Sequence, residues 1–351
     1  MIVPDCMITA RGVRSFQGID QQSHEGVGWR WGDHRGEGLG WWESAGMADA
    51  AGQQVVEVEG RRIALRNLDK VLYPATGTTK GEVLAYYAAV APALLPQLAD
   101  RPATRKRWPD GVEGGAFFEK NLPNGTPDWV RRVTLPVPGS TKDRETITFP
   151  VLDGLPALVW AANLAAIELH VPQWRVGPGG AVHGPDRLVV DLDPGAPAGL
   201  AECVEVAHAV RERLADDGLD AVPVTSGGKG MQLYAAVSGT QDAQTVNDYA
   251  RRLAEDMERR LPRLVVSRMT KALRPRRVLL DWSQNHPAKT TVAPYSLRGG
   301  PTPLAAAPRT WAELGAGTLT QLDHAEVAAR LQADGDPLAV LARPGPALPA
   351  R

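Results

Sequence analysis

One short stretch, Leu188-Val189-Val190-Asp191-Leu192-Asp193-Pro194-Gly195, restricts this chain more than any other. Its apolar run is near-continuous and too short for a helix, so it reads as a buried strand over 187–193. Side chains alternate along a strand, so Asp191 and Asp193 share one face. Pro194-Gly195 then turns the chain. Two carboxylates a few ångströms apart repel unless a cation lies between them, and hard oxygen donors select Mg2+ or Mn2+. Asp281 ends a second apolar run, Val278-Leu279-Leu280, expected as a strand over 277–282, and is the candidate third ligand. Three carboxylates holding two divalent ions form the constellation that in-line phosphoryl transfer requires. The competing reading is that Asp191 and Asp193 cap a turn and Asp281 is a strand-end surface residue.

The elements around these residues predict an α+β or mixed-sheet fold. Residues 55–65 alternate as a hairpin. Thr79 and Glu82 form a capping box for a helix running to about residue 98, bent near Pro92. Strands are expected within 130–152, a helix over 155–166, and an amphipathic helix over 200–217 closed by Gly218. Strands over 221–225 and 231–236 flank a glycine-rich loop, and a helix follows over 242–261. Helices come after Arg309, then a Pro/Ala-rich tail over 343–351. Residues 1–53 are rich in Gly and Trp without periodicity and are expected to be poorly ordered; either translation starts at Met47 or the segment is a Trp-bearing arm. The main domain is expected over 54–342.

Composition excludes several classes. No run of about 18 apolar residues exists to span a membrane, and the N-terminus lacks a secretory pattern. The two cysteines, Cys6 and Cys203, cannot build a disulfide framework or a cysteine zinc site, and they suit a reducing cytoplasm. The net charge is −1, so any attraction for a polyanion must come from local patches. Arg105, Lys106 and Arg107 form one, and Arg268, Lys271, Arg274, Arg276 and Arg277 another; each could equally be a solvated face. The chain has 8 lysines against 31 arginines. Six of those lysines (Lys70, Lys80, Lys106, Lys229, Lys271 and Lys289) fall inside candidate functional motifs.

Ser226-Gly227-Gly228-Lys229-Gly230 lets backbone N–H groups approach a phosphate, with Lys229 as a point charge; a plain hairpin turn is the alternative. Lys289 and Arg298 follow Asp281 within 17 residues and are candidates for triphosphate oxygens. Phe117 and Phe118 follow the first basic cluster and could stack on a base or pack in the core. His170 alone carries no argument.

Together these segments resemble the polymerase domain of bacterial DNA ligase D, within the archaeo-eukaryotic primase superfamily. The resemblance runs from about Val55 to Leu341. It rests on Asn67-Leu68-Asp69-Lys70-Val71-Leu72-Tyr73-Pro74, Arg101-Pro102-Ala103-Thr104-Arg105-Lys106-Arg107-Trp108-Pro109 and His170-Val171-Pro172-Gln173-Trp174. Asp191-Leu192-Asp193-Pro194, the glycine loop and Asp281-Trp282-Ser283-Gln284-Asn285 complete it. It implies a catalytic core of two β-sheets with flanking helices, and Asp191, Asp193 and Asp281 as ligands of two Mn2+ or Mg2+ ions. His170, Ser226, Lys229, Arg274, Gln284, Lys289 and Arg298 would serve the incoming nucleotide. Asn67, Lys70 and Lys80 would hold a DNA 5′-phosphate, and Lys106, Arg107, Phe117 and Phe118 would contact template or primer. The implied enzyme is a monomeric DNA-repair primase-polymerase that takes NTPs or dNTPs, favours ribonucleotides and 5′-phosphorylated gaps, and depends on a separate DNA ligase, as in the stand-alone actinobacterial members. Two other readings compete with it: a non-catalytic DNA-end bridging module, and a Mn2+-dependent sugar-nucleotide glycosyltransferase. The sequence departs from the family where the glycine loop is usually followed by a histidine, since Gln232 stands there.

Overall fold

In a computed structural model, residues 53–137 and 145–349 are described. The expectations for residues 1–52 lie outside them. The core is two sheets. The larger has six strands in the order Val265–Val266, Val278–Leu280, Arg187–Pro194, Met231–Ala236, Ala221–Thr225 and Ala307–Pro308. The smaller has four, in the order Thr291–Val292, Ala166–Val171, Thr104–Arg107 and Phe117–Glu119.

Alternation along the 187–194 strand assigns the two faces of the larger sheet. Leu188, Val190 and Leu192 join a core made with the helices Leu200–Asp216 and Ala243–Arg260. Val189 points the other way, into a second core built with the smaller sheet and the helices Lys80–Leu98 and Leu155–Asn163. Asp191 and Asp193 share the parity of Val189 and so face the side on which the two sheets meet. Tyr234, on the neighbouring strand, donates across that junction to the Val292 carbonyl at 3.1 Å.

Local chemistry explains the helix ends. The Thr79–Glu82 capping box is formed, with the Thr79 hydroxyl accepting from Glu82 N and the Glu82 carboxylate accepting from Thr79 N at 2.7 Å. Asp242 caps the 243–260 helix by accepting from Thr245 N at 2.7 Å. Two expected boundaries are corrected. The helix expected over 155–166 stops at Asn163, because Ala165 takes a left-handed φ of 57° and Ala166 enters a central strand. The strand expected over 277–282 shrinks to Val278–Leu280, since Asp281 instead caps a short 3-10 turn, Trp282–Asn285. The Pro/Ala-rich tail is docked: Ser238 N donates to Pro346 O at 3.0 Å, Leu348 is buried, and its backbone exchanges two hydrogen bonds with the Gln241 amide. No helix among the described residues is long and apolar enough to cross a membrane.

Candidate nucleotidyl-transfer site

The site begins with strand register. Leu192 pairs with Leu280, and Asp281 N donates to Asp191 O at 2.9 Å. Asp281 therefore lies beside Asp191, while Asp193 sits two residues along the same face. On the opposite side Asp191 pairs with Gln232, whose amide donates to Asp191 Oδ1 at 3.0 Å. Gln232 Oε1 in turn accepts from the Tyr234 hydroxyl at 2.9 Å, which fixes the orientation of the amide. Asp281 accepts from the Ser283 hydroxyl and from the Gln284 amide, the latter at 2.9 Å. Asp193 is more open and lies 3.6 Å from Arg274 Nη1.

Burial pushes Asp191 up to about 7; the Gln232 hydrogen bond opposes this, and the carboxylates of Asp281 and Asp193 add to it. A carboxylate desolvated beside two others is short of positive charge. That deficit, and a donor set made of hard oxygens, fit a divalent cation. The side chains are not drawn together, however. Among the described residues no group of three or more His, Cys, Asp or Glu is disposed to hold a metal ion, and Asp281 spends its oxygens on Ser283 and Gln284.

The glycine loop packs directly on the carboxylate strand. A Cβ on Gly230 would lie 2.0 Å from Leu192 O, so only glycine permits this approach. Gly227 is left-handed at φ 65°, and a Cβ there would lie 2.6 Å from Arg298 Cγ. The loop is tied internally, with the Ser226 hydroxyl donating to Gly230 O at 2.9 Å and accepting from Gly228 N at 3.2 Å. Lys229 and Lys289 are exposed, and neither makes an ion pair among the described residues.

Arg298 leads from the loop to the smaller sheet. Its Nε lies 3.6 Å from Glu168 Oε1. Glu168 is 3% exposed, accepts from His170 Nε2 at 2.8 Å and from Gly299 N at 3.0 Å, and lies 3.7 Å from Lys106 Nζ. The Phe118 ring meets the His170 ring edge-on, with centroids 5.7 Å apart.

The three basic neighbours on the 104–107 strand separate. Arg105 is no surface cation: it is fully buried against Trp160 and paired with Glu119 at 3.0 Å. Lys106 pairs in register with Glu168 and Phe118. Arg107 pairs in register with Phe117 and lines a separate cavity of about 570 Å3. That cavity also gathers Arg62, Arg66, Asn67, Lys70 and Lys80. Asn67 is left-handed at φ 53°, Lys70 pairs with the exposed Asp110 at 2.9 Å, and Lys80 Nζ donates to Arg66 O at 2.6 Å. Arg107 thus stands with the residues expected to hold a 5′-phosphate. Phe117 and Phe118 are 58% and 53% exposed, which removes the core-packing alternative. Being adjacent on one strand, they project to opposite faces and do not form a single platform.

Sequence reasoning passes over Glu168, Gln321 and Arg62. Glu168 stands two residues before His170, the same spacing that singles out Asp191 and Asp193. Gln321 accepts from Gly227 N at 2.7 Å and donates to Gly230 O at 2.9 Å, bracing both ends of the glycine loop from about 90 residues away in sequence. Nothing local in the sequence marks it.

A two-sheet core that sets three carboxylates beside a glycine loop and several cations is the architecture of the primase-polymerase class. The chain belongs to the LigD primase-polymerase domain family, whose model matches residues 79–338. It is 50% identical over 281 residues to the multifunctional non-homologous end joining protein LigD of Mycobacterium bovis, covering 79% of this chain and 36% of that protein. It is 30% identical over 254 residues to the bifunctional non-homologous end joining protein LigD of Bacillus subtilis, covering 72% of this chain and 39% of that protein. Among solved structures, the polymerase domain from Mycobacterium tuberculosis ligase D in complex with DNA matches with a TM-score of 0.76 and 49% identity. The match covers 80% of this chain and 98% of that one. The chain therefore spans just over a third of the length of these LigD proteins. The glycosyltransferase reading does not survive membership of this family.

Proposed function

We propose that this chain is a DNA-repair polymerase that fills short gaps or extends DNA ends by transferring nucleotides from NTPs or dNTPs, with ribonucleotides favoured. The observation that carries the proposal is the adjacency of the three-carboxylate face to the glycine loop and, through Arg298, to the Glu168–His170–Lys106 cluster. Two divalent ions, Mn2+ or Mg2+, held by Asp191, Asp193 and Asp281, would supply the Lewis acidity that in-line transfer needs. The protein's own groups do the rest. Lys229, Lys289, Arg274 and Arg298 neutralise the triphosphate, and Lys229 also offers its backbone N–H group to it. Gln232 holds Asp191 with an amide that carries no charge at any pH, where the family usually has an imidazole.

The cationic cavity holding Asn67, Lys70, Lys80 and Arg107 takes the 5′-phosphate on the far side of a gap, and the exposed Phe118 offers a stacking face to a base. The protein acts as a monomer in the cytoplasm, and the nick left after filling requires a DNA ligase activity.

The test is extension of a labelled primer across a gap of a few nucleotides bearing a 5′-phosphate, with Mn2+ and either ribo- or deoxyribonucleotides. Wild type extends, and the Asp191→Ala/Asp193→Ala double variant does not. Retained binding with no extension by either protein would instead identify an end-bridging module.

A further inference from the structure

Glu168 is a buried carboxylate next to the site, 3% exposed, and neither the two-metal chemistry nor the glycine loop uses it. A carboxylate buried this deeply is destabilising unless it is paired and hydrogen-bonded. Its partners are unlike those of a structural ion pair. Oε2 is taken by His170 Nε2 at 2.8 Å. Oε1 is shared by Gly299 N at 3.0 Å, Arg298 Nε at 3.6 Å and Lys106 Nζ at 3.7 Å. The carboxylate is 4% exposed, whereas the Arg298 and Lys106 side chains are 28% and 33% exposed. The anion is sunk in the sheet, and its cations reach outward from it.

Strand geometry produces this arrangement. Lys106 is the register partner of Glu168, and His170 is two residues along the same face. Arg298 and Gly299 arrive from the chain that follows the 291–292 strand. Arg298 is held at its backbone as well, since the Tyr73 hydroxyl donates to Arg298 O at 2.8 Å. Distances of 3.6–3.7 Å orient the two cations without using up their donors, so the Arg298 guanidinium and the Lys106 ammonium keep hydrogen bonds for another acceptor. Two permanent cations around one carboxylate leave a surplus of positive charge, which suits an anion larger than a single carboxylate.

We propose that Glu168 is a positioning residue that fixes the side chains of Arg298, His170 and Lys106 in one convergent set for the triphosphate of the incoming nucleotide. The inference rests on the polymerase function proposed for the chain, and names the group that preorganises its nucleotide subsite. Burial opposes the charged carboxylate, yet its hydrogen bond to His170 and the charge of Arg298 hold it down to about 2, so it is ionised throughout the neutral range.

The experiment compares wild type, Glu168→Gln, Arg298→Ala and the Glu168→Gln/Arg298→Ala double variant. One measurement is the Kd for the Mn2+ complex of a nucleoside triphosphate with a methylene bridge between its α and β phosphorus atoms. A second is the Kd for gapped DNA, and a third is KM and kcat in primer extension. Glu168→Gln is expected to weaken nucleotide binding and raise KM about tenfold, to leave gapped-DNA affinity within twofold, and to have little further effect once Arg298 is removed. That last non-additivity marks groups acting as a unit. If Glu168→Gln does not fold, Glu168→Asp keeps the charge but shortens its reach, and is expected to raise nucleotide Kd several-fold with DNA affinity intact. Unchanged nucleotide affinity in a folded Glu168 variant overturns the proposal, as does an equal loss of DNA affinity or full additivity with Arg298→Ala. Wild type that binds nucleotide without extending primers sinks the polymerase reading alone, and the nucleotide Kd values still decide the role of Glu168. Wild type that binds no nucleotide overturns both.

Discussion

At the residue scale, the site carries charge that the fold alone does not want. Asp191 is buried beside two carboxylates and pushed up to about 7. Replacing it by Asn keeps the shape and the Gln232 contact but removes the repulsion. Asp191→Asn is therefore expected to raise the melting temperature in metal-free buffer while abolishing extension, and to lose the stabilisation that Mn2+ gives wild type. Thermal melts with and without Mn2+ check this; a variant that melts lower and still responds to Mn2+ contradicts it. Lys80 is the mirror case. Burial, then the charges of Lys70 and Arg66, lower it from 10.5 to about 8. Its folded value lies below its unfolded one, so holding it charged destabilises the empty fold below pH 8, and this penalty fades between pH 8 and 10.5. Phosphate binding needs the ammonium, so the preference for a 5′-phosphorylated gap is expected to shrink as pH rises through about 8. Comparing DNA affinities with and without the phosphate at about pH 7.5 and about pH 9.5 tests this, because the phosphate is already doubly ionised across that range. Lys80→Arg, which stays charged, should flatten the dependence.

At the element scale, the glycine loop is a contact surface as much as a turn. Gly230 touches Leu192 O where no Cβ fits, so Gly230→Ala must move either the loop or the carboxylate strand. It is expected to cost about 1–3 kcal/mol, the usual range for overpacking, and to lower kcat/KM by far more than Ala at Gly228, where the nearest atom, the Ser226 hydroxyl, would lie at an ordinary contact distance of 3.4 Å. Chemical denaturation and extension kinetics on the two variants separate these outcomes. The same contrast shows what could be read in advance. The 221–225 and 231–236 strands are legible to the residue, because apolar runs and glycines bound them. The face shared by Asp191 and Asp193 follows from alternation alone. The end of the 155–163 helix is not legible, since Leu164-Ala165-Ala166 continues a helical pattern and only sheet pairing overrides it. Arg105 misleads for a similar reason: neighbours on a strand face opposite ways, so a run of three cations cannot be one patch.

At the scale of the whole molecule, the larger sheet is a partition with a hydrophobic core on each side, and the segment 343–349 belongs to its structure. Gly345 lies against Ala236 O and Leu348 is 3% exposed. Truncation after Ala342 is expected to cost at least the roughly 1.5–3 kcal/mol of one buried leucine, lowering the melting point by several degrees while leaving KM for nucleotide unchanged in the folded fraction. A rise in KM would mean that the segment also shapes the site. Asn285 has a wider consequence. Its amide donates to Val189 O at 2.7 Å and its carbonyl accepts from Val189 N at 3.0 Å, so one side chain imitates a neighbouring strand. The turn bearing Asp281 is thereby welded to the strand bearing Asp191 and Asp193, ahead of the exposed segment that carries Lys289. The spacing of the carboxylates is therefore set by strand-like pairing through Asn285 and not by the exposed residues 286–289 that follow it.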